Sequence, residues 1–255
     1  MKKTVLITGA TSGIGLALAH LFAKAGEALV LVARYEETLK PLQQSLNIQY
    51  GIAVEYFAVD LAKSSGVEKL TSWIVNRGIS VDILINNAGF GNYGPFDKTD
   101  KDADRELIEL NVSALTLLTK QILPTLINKK GKILNVGSVA SFLPGPFMNT
   151  YFASKAYVLS FSLALREEML GRKVSVSCLC PGPTDTLFGK RAHFDHDLNH
   201  RYFMKVETVA KEAYLGLLKG KAIIVPGWKN KLIVGLCPII PKTLMAKIVR
   251  WVSGY

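Results

Sequence analysis

The chain has 255 residues, 49% apolar and 20% charged, a globular composition that excludes a disordered polypeptide and allows one or two domains. Its 31 Lys and Arg against 20 Asp and Glu give a net charge of +11, which admits nucleic acid, an anionic membrane or a phosphorylated cofactor as partners. Three cysteines exclude a framework of paired disulfides, Cys178 and Cys180 stand too close for a zinc knuckle, and a reduced, cytoplasmic compartment is expected.

Lys2 and Lys3 followed by apolar residues imitate a secretory leader, but Gly9, Ser12, Gly13 and Gly15 interrupt the apolar stretch and Thr4 to Thr8 reads as a buried strand. That strand, Val5–Thr8, runs through Gly9-Ala10-Thr11-Ser12-Gly13-Ile14-Gly15 into a helical pattern over Gly15–Ala25. Glycines after a first strand let the backbone turn sharply and approach a pyrophosphate, whose charge a helix N-terminus stabilises. The second strand, Leu29–Ala33, ends at Arg34, where a carboxylate would take the adenosine ribose of NAD; an arginine suits a 2′-phosphate instead, so NADP(H) is preferred over NAD(H).

Helix Glu36–Leu46, strand Val54–Val59 and helix Val67–Val75 precede strand Ile83–Ile85 and its continuation Asn86-Asn87-Ala88-Gly89. A long helix, Arg105–Leu126, leads to strand Lys132–Val136, with Ser138 just past its C-terminal end. The longest uncharged stretch, between Lys132 and Lys155, contains Asn135, Pro144, Pro146 and Asn149 and cannot span a bilayer as one helix. Helix Tyr151–Leu170 places Tyr151 and Lys155 one turn apart on one face, where an ammonium favours the phenolate and brings tyrosine nearer to acid/base use. Strands Val174–Leu179 and Ala222–Val225 complete seven short runs alternating with helices. This predicts an α/β fold: a Rossmann-type doubly wound parallel sheet of about seven strands with helices on both faces. No recognition motif supports nucleic-acid binding.

The motif TGATSGIG, the Asp60-Leu61 pair, NNAG, Asn111, Ser138 and YFASK, in this order, resemble the short-chain dehydrogenase/reductase family, in its short single-domain branch related to 3-ketoacyl and hydroxysteroid reductases. The resemblance covers residues 3 to 225, and GSVASFLPGP and Pro181-Gly182-Pro183-Thr184 share it. It implies an NADP(H)-dependent oxidoreductase interconverting a carbonyl and an alcohol on a small or hydrophobic substrate. Tyr151 would be the general acid or base, Ser138 would stabilise the substrate oxygen, and Lys155 would bind the nicotinamide ribose and lower the Tyr151 pKa. Asn111 would hold a water linking Lys155 to solvent. Gly9, Thr11, Ser12, Gly13, Ile14, Gly15 and Arg34 would bind the cofactor phosphates, Asp60 and Leu61 the adenine end. Asn87, Ala88, Gly89, Pro181, Gly182 and Thr184, with Tyr151 and Lys155, would line the rest of the cofactor. A homodimer or homotetramer through the two long helices is a further implication. The alternative is a cofactor-sensing or scaffolding protein without turnover.

The resemblance also makes residues of about 184–205 a lid. There His193, His196 and His200 with Asp195 and Asp197 are read as polar lid surface rather than a metal site, and Phe188, Phe194, Tyr202 and Phe203 as pocket lining or packing. One domain is expected over 1–227. Residues 228–255 form a basic amphipathic extension, and Leu244, Met245, Ile248, Trp251 and Val252 share one arc of a helix beside Lys247 and Arg250. That arc suits either an anionic membrane surface, making the protein cytoplasmic but peripheral, or packing on its own domain or a second subunit.

Overall fold

The computed structural model describes residues 2–186, 188 and 203–252. In chain order it contains β1 (Thr4–Thr8), α1 (Gly13–Lys24), β2 (Ala28–Ala33), α2 (Glu36–Tyr50), β3 (Val54–Ala58), α3 (Gly66–Asn76) and β4 (Ile83–Asn86). There follow α4 (Lys101–Ile108), a π-helical turn (Glu109–Ala114), α5 (Leu115–Lys129), β5 (Lys132–Val136), a 3-10 turn (Val139–Phe142) and α6 (Asn149–Met169). The last elements are β6 (Ser175–Leu179), α7 (Val206–Leu218), β7 (Ile223–Ile224), α8 (Trp228–Leu236) and α9 (Lys242–Val252). The seven strands form one parallel sheet in the order β3-β2-β1-β4-β5-β6-β7, the Rossmann-like doubly wound fold that the alternating runs predict.

The strands are apolar on both faces because helices cover both. Val5, Ile7, Leu29 and Leu31 pack with Leu18 and Phe22 of α1 and Val209, Ala213 and Leu217 of α7. Leu6, Val30, Leu84 and Ile133 pack on the other face with Leu70 of α3 and Leu118, Ile122 and Leu126 of α5. The helical rod Lys101–Lys129 is long and apolar enough to cross a membrane by length and composition, but its apolar face is this core contact.

Two features were not read from the sequence. Helix α7 escaped although Val209, Ala210, Ala213 and Leu217 form a buried stripe at helical spacing after Glu207. The long helix also does not run as one α-helix: six residues around Asn111 are wound as a π-turn, a local widening that re-aims a side chain.

Within the sheet, Asn86 and Asn135 on neighbouring strands anchor a buried polar network. Asn86 Nδ2 donates to Asn135 Oδ1 at 2.8 Å and Thr119 Oγ1 at 2.9 Å, and Asn135 Nδ2 donates to Ser162 Oγ at 2.9 Å. The network ties β4, β5, α5 and α6 together in a fully buried place. Replacing Asn135 by Ala removes an acceptor and a donor at once and opens a void. The expected loss is about 2–4 kcal/mol of unfolding free energy, measured by urea denaturation at unchanged m-value.

Candidate active site

The Gly-rich loop leaves the C-terminal end of β1 at the point where the strand order reverses, so that the chain segments following the paired strands β1 and β4 diverge and open a crevice. Gly9 and Gly13 have φ of 64° and 54°, the left-handed region that favours glycine. A Cβ on Gly15 would stand 2.3 Å from the Gly9 carbonyl and 2.4 Å from Asn87 Nδ2, so the loop closes on itself only with glycine there. Ser12 does not cap α1 through its side chain, and the first helical turn carries no acid, leaving the helix end suited to an anion. Thr11 and Ile14 are half-buried beside it. The Ala10 amide donates to the Val32 carbonyl at 3.2 Å, which holds the loop against the end of β2. Arg34 follows there, exposed, its guanidinium 5.5 Å from the centre of the Tyr35 ring, with no ion pair among the described residues.

Across the crevice, Asn87 is a brace as much as a lining residue. Its Nδ2 donates to the carbonyls of Thr8 and Gly9 at 2.9 and 3.0 Å, while the amides of Asn87 and Ala88 donate to Thr8 Oγ1 at 3.0 Å. At the end of β3, Asp60 Oδ1 accepts from the Ala62 amide at 3.0 Å, and the Leu61 side chain turns into the core.

The second half of the site comes from β5 and α6. Ser138 lies just past the end of β5, capping the 3-10 turn, and Tyr151 and Lys155 lie on the first turns of α6; Tyr151 and Lys155 are 8% and 5% exposed. Ser138 Oγ accepts from the Ala140 amide at 3.1 Å and donates to the Pro181 carbonyl at 3.4 Å. Lys155 Nζ donates to the Val136 carbonyl at 2.9 Å and lies 5.7 Å from the centre of the Tyr151 ring. Burial pushes the Tyr151 phenol up to about 12, and a hydrogen bond with Ser138 offsets part of that rise. Burial also pulls Lys155 down to about 8, partly opposed by Cys178 and Cys180. Desolvation, not the lowering by Lys155 that the sequence suggested, governs the phenol here, and the ammonium is turned toward a backbone carbonyl.

Asn111, buried in the π-turn, does not point at Lys155 directly. Its Nδ2 donates to the Phe90 carbonyl and to Ser154 Oγ, both at 3.0 Å, and its Oδ1 accepts from the Phe90 amide at 3.2 Å. Gly89 stands between the two: a Cβ there would meet Asn111 Oδ1 at 2.9 Å and Lys155 Nζ at 3.3 Å. Phe90, Met148, Phe152 and Phe188 pack about Tyr151, the Phe188 ring 5.2 Å from the tyrosine ring, and make this side of the crevice apolar. Thr184 Oγ1 donates to the Gly182 carbonyl at 2.9 Å, and Thr186 lies against Gly13, so the loop after β6 reaches the Gly-rich loop. The sequence reading passed over Asn230 of α8, which is buried against Gly182 and donates to the Pro226 carbonyl at 2.8 Å. Cys178 of β6 and Cys180 just past its end are fully buried, sulfurs 3.7 Å apart. Of the expected lid residues, His193, Phe194, Asp195, His196, Asp197, His200 and Tyr202 lie outside the described residues.

A family model described as short chain dehydrogenase matches residues 3–196. A sulfoacetaldehyde reductase of Chromohalobacter salexigens is 40% identical over 192 residues, 74% of this chain and 75% of its own. A short chain dehydrogenase of Pseudocercospora fijiensis is 35% identical over 190 residues, 73% of this chain, but the match spans only 61% of that relative's length. Among solved structures, a short-chain dehydrogenase from Sphingobium yanoikuyae in complex with NADPH is similar with a TM-score of 0.83 and 33% identity, over 94% of this chain and 97% of that one.

The depressed Lys155 has a consequence for stability. An unfolded lysine keeps its proton to about 10.5, whereas Lys155 releases it at about 8, so between these values the unfolded chain binds more protons and stability rises with pH. Below about pH 8 the buried charge is a standing cost. Lys155→Met is expected to exceed the wild type in stability at pH 7 by on the order of 1 kcal/mol, the lost bond to Val136 offsetting part of the gain. The gap should close by about pH 9.5, as urea denaturation of both proteins at the two pH values would show. A wild type more stable at pH 7 would overturn the assignment.

Proposed function

Because the chain belongs to the short-chain dehydrogenase family, we propose that it is an NADP(H)-dependent reductase of a carbonyl on an apolar substrate, with Tyr151 as the proton donor. The observation that carries this reading is the meeting of Ser138, Tyr151 and Lys155 at the strand ends that also hold the Gly-rich loop. The loop fits a dinucleotide: glycines at positive φ, a first helical turn without acids or a side-chain cap, and Arg34 without an ion pair among the described residues, suited to a 2′-phosphate. The bound cofactor supplies the hydride. Gly9, Thr11, Ser12, Gly13, Ile14 and Gly15 would hold its pyrophosphate. Asp60 and Leu61 would take the adenine, and Asn87, Ala88, Gly89, Pro181, Gly182 and Thr184 the nicotinamide half.

Ser138 would hydrogen-bond the substrate carbonyl and stabilise the charge that develops on its oxygen. A phenol held at about 12 stays protonated and is a proton donor, which suits reduction. Lys155, once it leaves the Val136 carbonyl for the ribose hydroxyls, would bring its charge to bear on the phenol, and Asn111 would order a water behind it. The ring of Phe90, Met148, Phe152 and Phe188 favours an apolar carbonyl over a small charged one. A homodimer or homotetramer built on α5 and α6 is supported by the exposed Leu117 and Tyr157 on those helices.

A panel of long-chain acyl, steroid and aromatic carbonyls with NADPH tests the proposal. Tyr151→Phe should lower kcat by about 10²–10⁴-fold while NADPH affinity stays within a few-fold. Arg34→Ala should weaken NADPH at least about tenfold and leave NADH unchanged. NADPH binding without turnover across the panel would instead mark a cofactor-sensing or scaffolding protein.

A further inference from the structure

The C-terminal segment is built in a way the reaction does not require. Helices α8 and α9 follow the last strand, and among their described side chains each buries one: Asn230 in α8 and Met245 in α9. A helix that packs on its own domain turns its apolar stripe inward. Here the apolar residues face out: Trp228, Leu232, Ile233 and Leu236 are 67%, 58%, 47% and 53% exposed, and Leu244, Ile248 and Trp251 are 49%, 40% and 81% exposed. Between the helices Ile239 is exposed as well. The arc expected from the sequence is thus split, with Met245 turned inward and Leu244, Ile248 and Trp251 outward.

The charge on this segment has one sign. No Asp or Glu follows Glu212, while Lys229, Lys231, Lys242, Lys247 and Arg250 lie on or beside the two helices. A second copy meeting this face about a two-fold axis would set lysine against lysine with no acid from the same segment to relieve it. Anionic lipid headgroups offer the opposite charge. The two tryptophans are the side chains that favour the level between headgroups and acyl chains.

We propose that α8 and α9 form a docking surface for an anionic lipid bilayer, lying in its interface and not spanning it. Asn230, which seats α8 against Gly182, and the packing of α8 on the 3-10 turn after Ser138 would hold the bilayer close to the candidate active site. The inference does not depend on the reaction proposed above.

The test uses the full chain carrying Trp73→Phe, so that Trp228 and Trp251 are the only tryptophans. With vesicles of phosphatidylglycerol and phosphatidylcholine, tryptophan emission should shift to the blue and the protein should float with the lipid. Both effects should weaken strongly with salt and on pure phosphatidylcholine. Lys247→Glu combined with Arg250→Glu should cut vesicle affinity at least about tenfold, and so should Trp251→Ala, with urea midpoints unchanged. Three results would overturn the proposal: no flotation with anionic vesicles, equal binding to neutral ones, or a stable dimer in solution that the charge reversal splits.

Discussion

The candidate site is gathered at the C-terminal ends of the parallel strands, and the Asn87 side chain is the clamp that holds two of those ends together. Parallel pairing of β1 with β4 brings Thr8 and Asn87 to the same edge of the sheet, and there the switch in strand order removes the neighbour that would cover them. The Asn87 amide takes over two carbonyls that the ladder leaves behind, those of Thr8 and Gly9. That bond sets the path of the Gly-rich loop, and the path leaves no room for a Cβ at Gly15. A residue expected to line a ligand thus first shapes the place where the ligand would lie.

The same edge carries charge and polarity that the fold alone would do better without. A lysine that is 5% exposed, with a single carbonyl partner among its described contacts, costs folding energy at neutral pH. Beside it, the Asn86, Asn135, Thr119 and Ser162 network satisfies its own buried amides and joins the strand before Ser138 to the helix that carries Lys155. An apolar substitute at position 155 would remove the cost of the buried charge, and with it the charge that the proposed reaction uses. Such a conflict between local stability and polarity is the physical mark of a functional position.

Much of this was legible in the sequence because it depends on short-range rules. Apolar runs separated by helices announce a sheet buried on both faces, and Gly9, Gly13 and Gly15 after the first run mark the loop. The spacing of Tyr151 and Lys155 marks a shared helix face. What was hidden depends on tertiary geometry. The π-turn at Asn111 has no signature in the residue pattern, since Glu109 to Ala114 reads as ordinary helix. Nor does spacing reveal that burial raises the Tyr151 phenol, with only the Ser138 hydrogen bond opposing it. Asn230 sits far along the chain from Gly182, and only the close approach of the two segments gives it a role.

The net charge of +11 changes meaning once it is located. Seven of the basic residues stand beyond residue 218 with no acid among them, leaving +4 for the preceding chain, an ordinary balance for a dehydrogenase. A long-range field over the whole molecule would be screened within about a Debye length of 8 Å at physiological salt, so it is the local density of charge that acts on a partner. On α8 and α9 that density coincides with exposed tryptophan and leucine, and the two terms reinforce each other only where a partner offers negative charge above an apolar layer. Nucleic acid supplies the charge without the apolar layer, and a second copy supplies the apolar surface without the opposite charge. Lipid of anionic headgroup supplies both, which is why the excess charge, read first as a property of the protein, is better understood as a property of its last two helices.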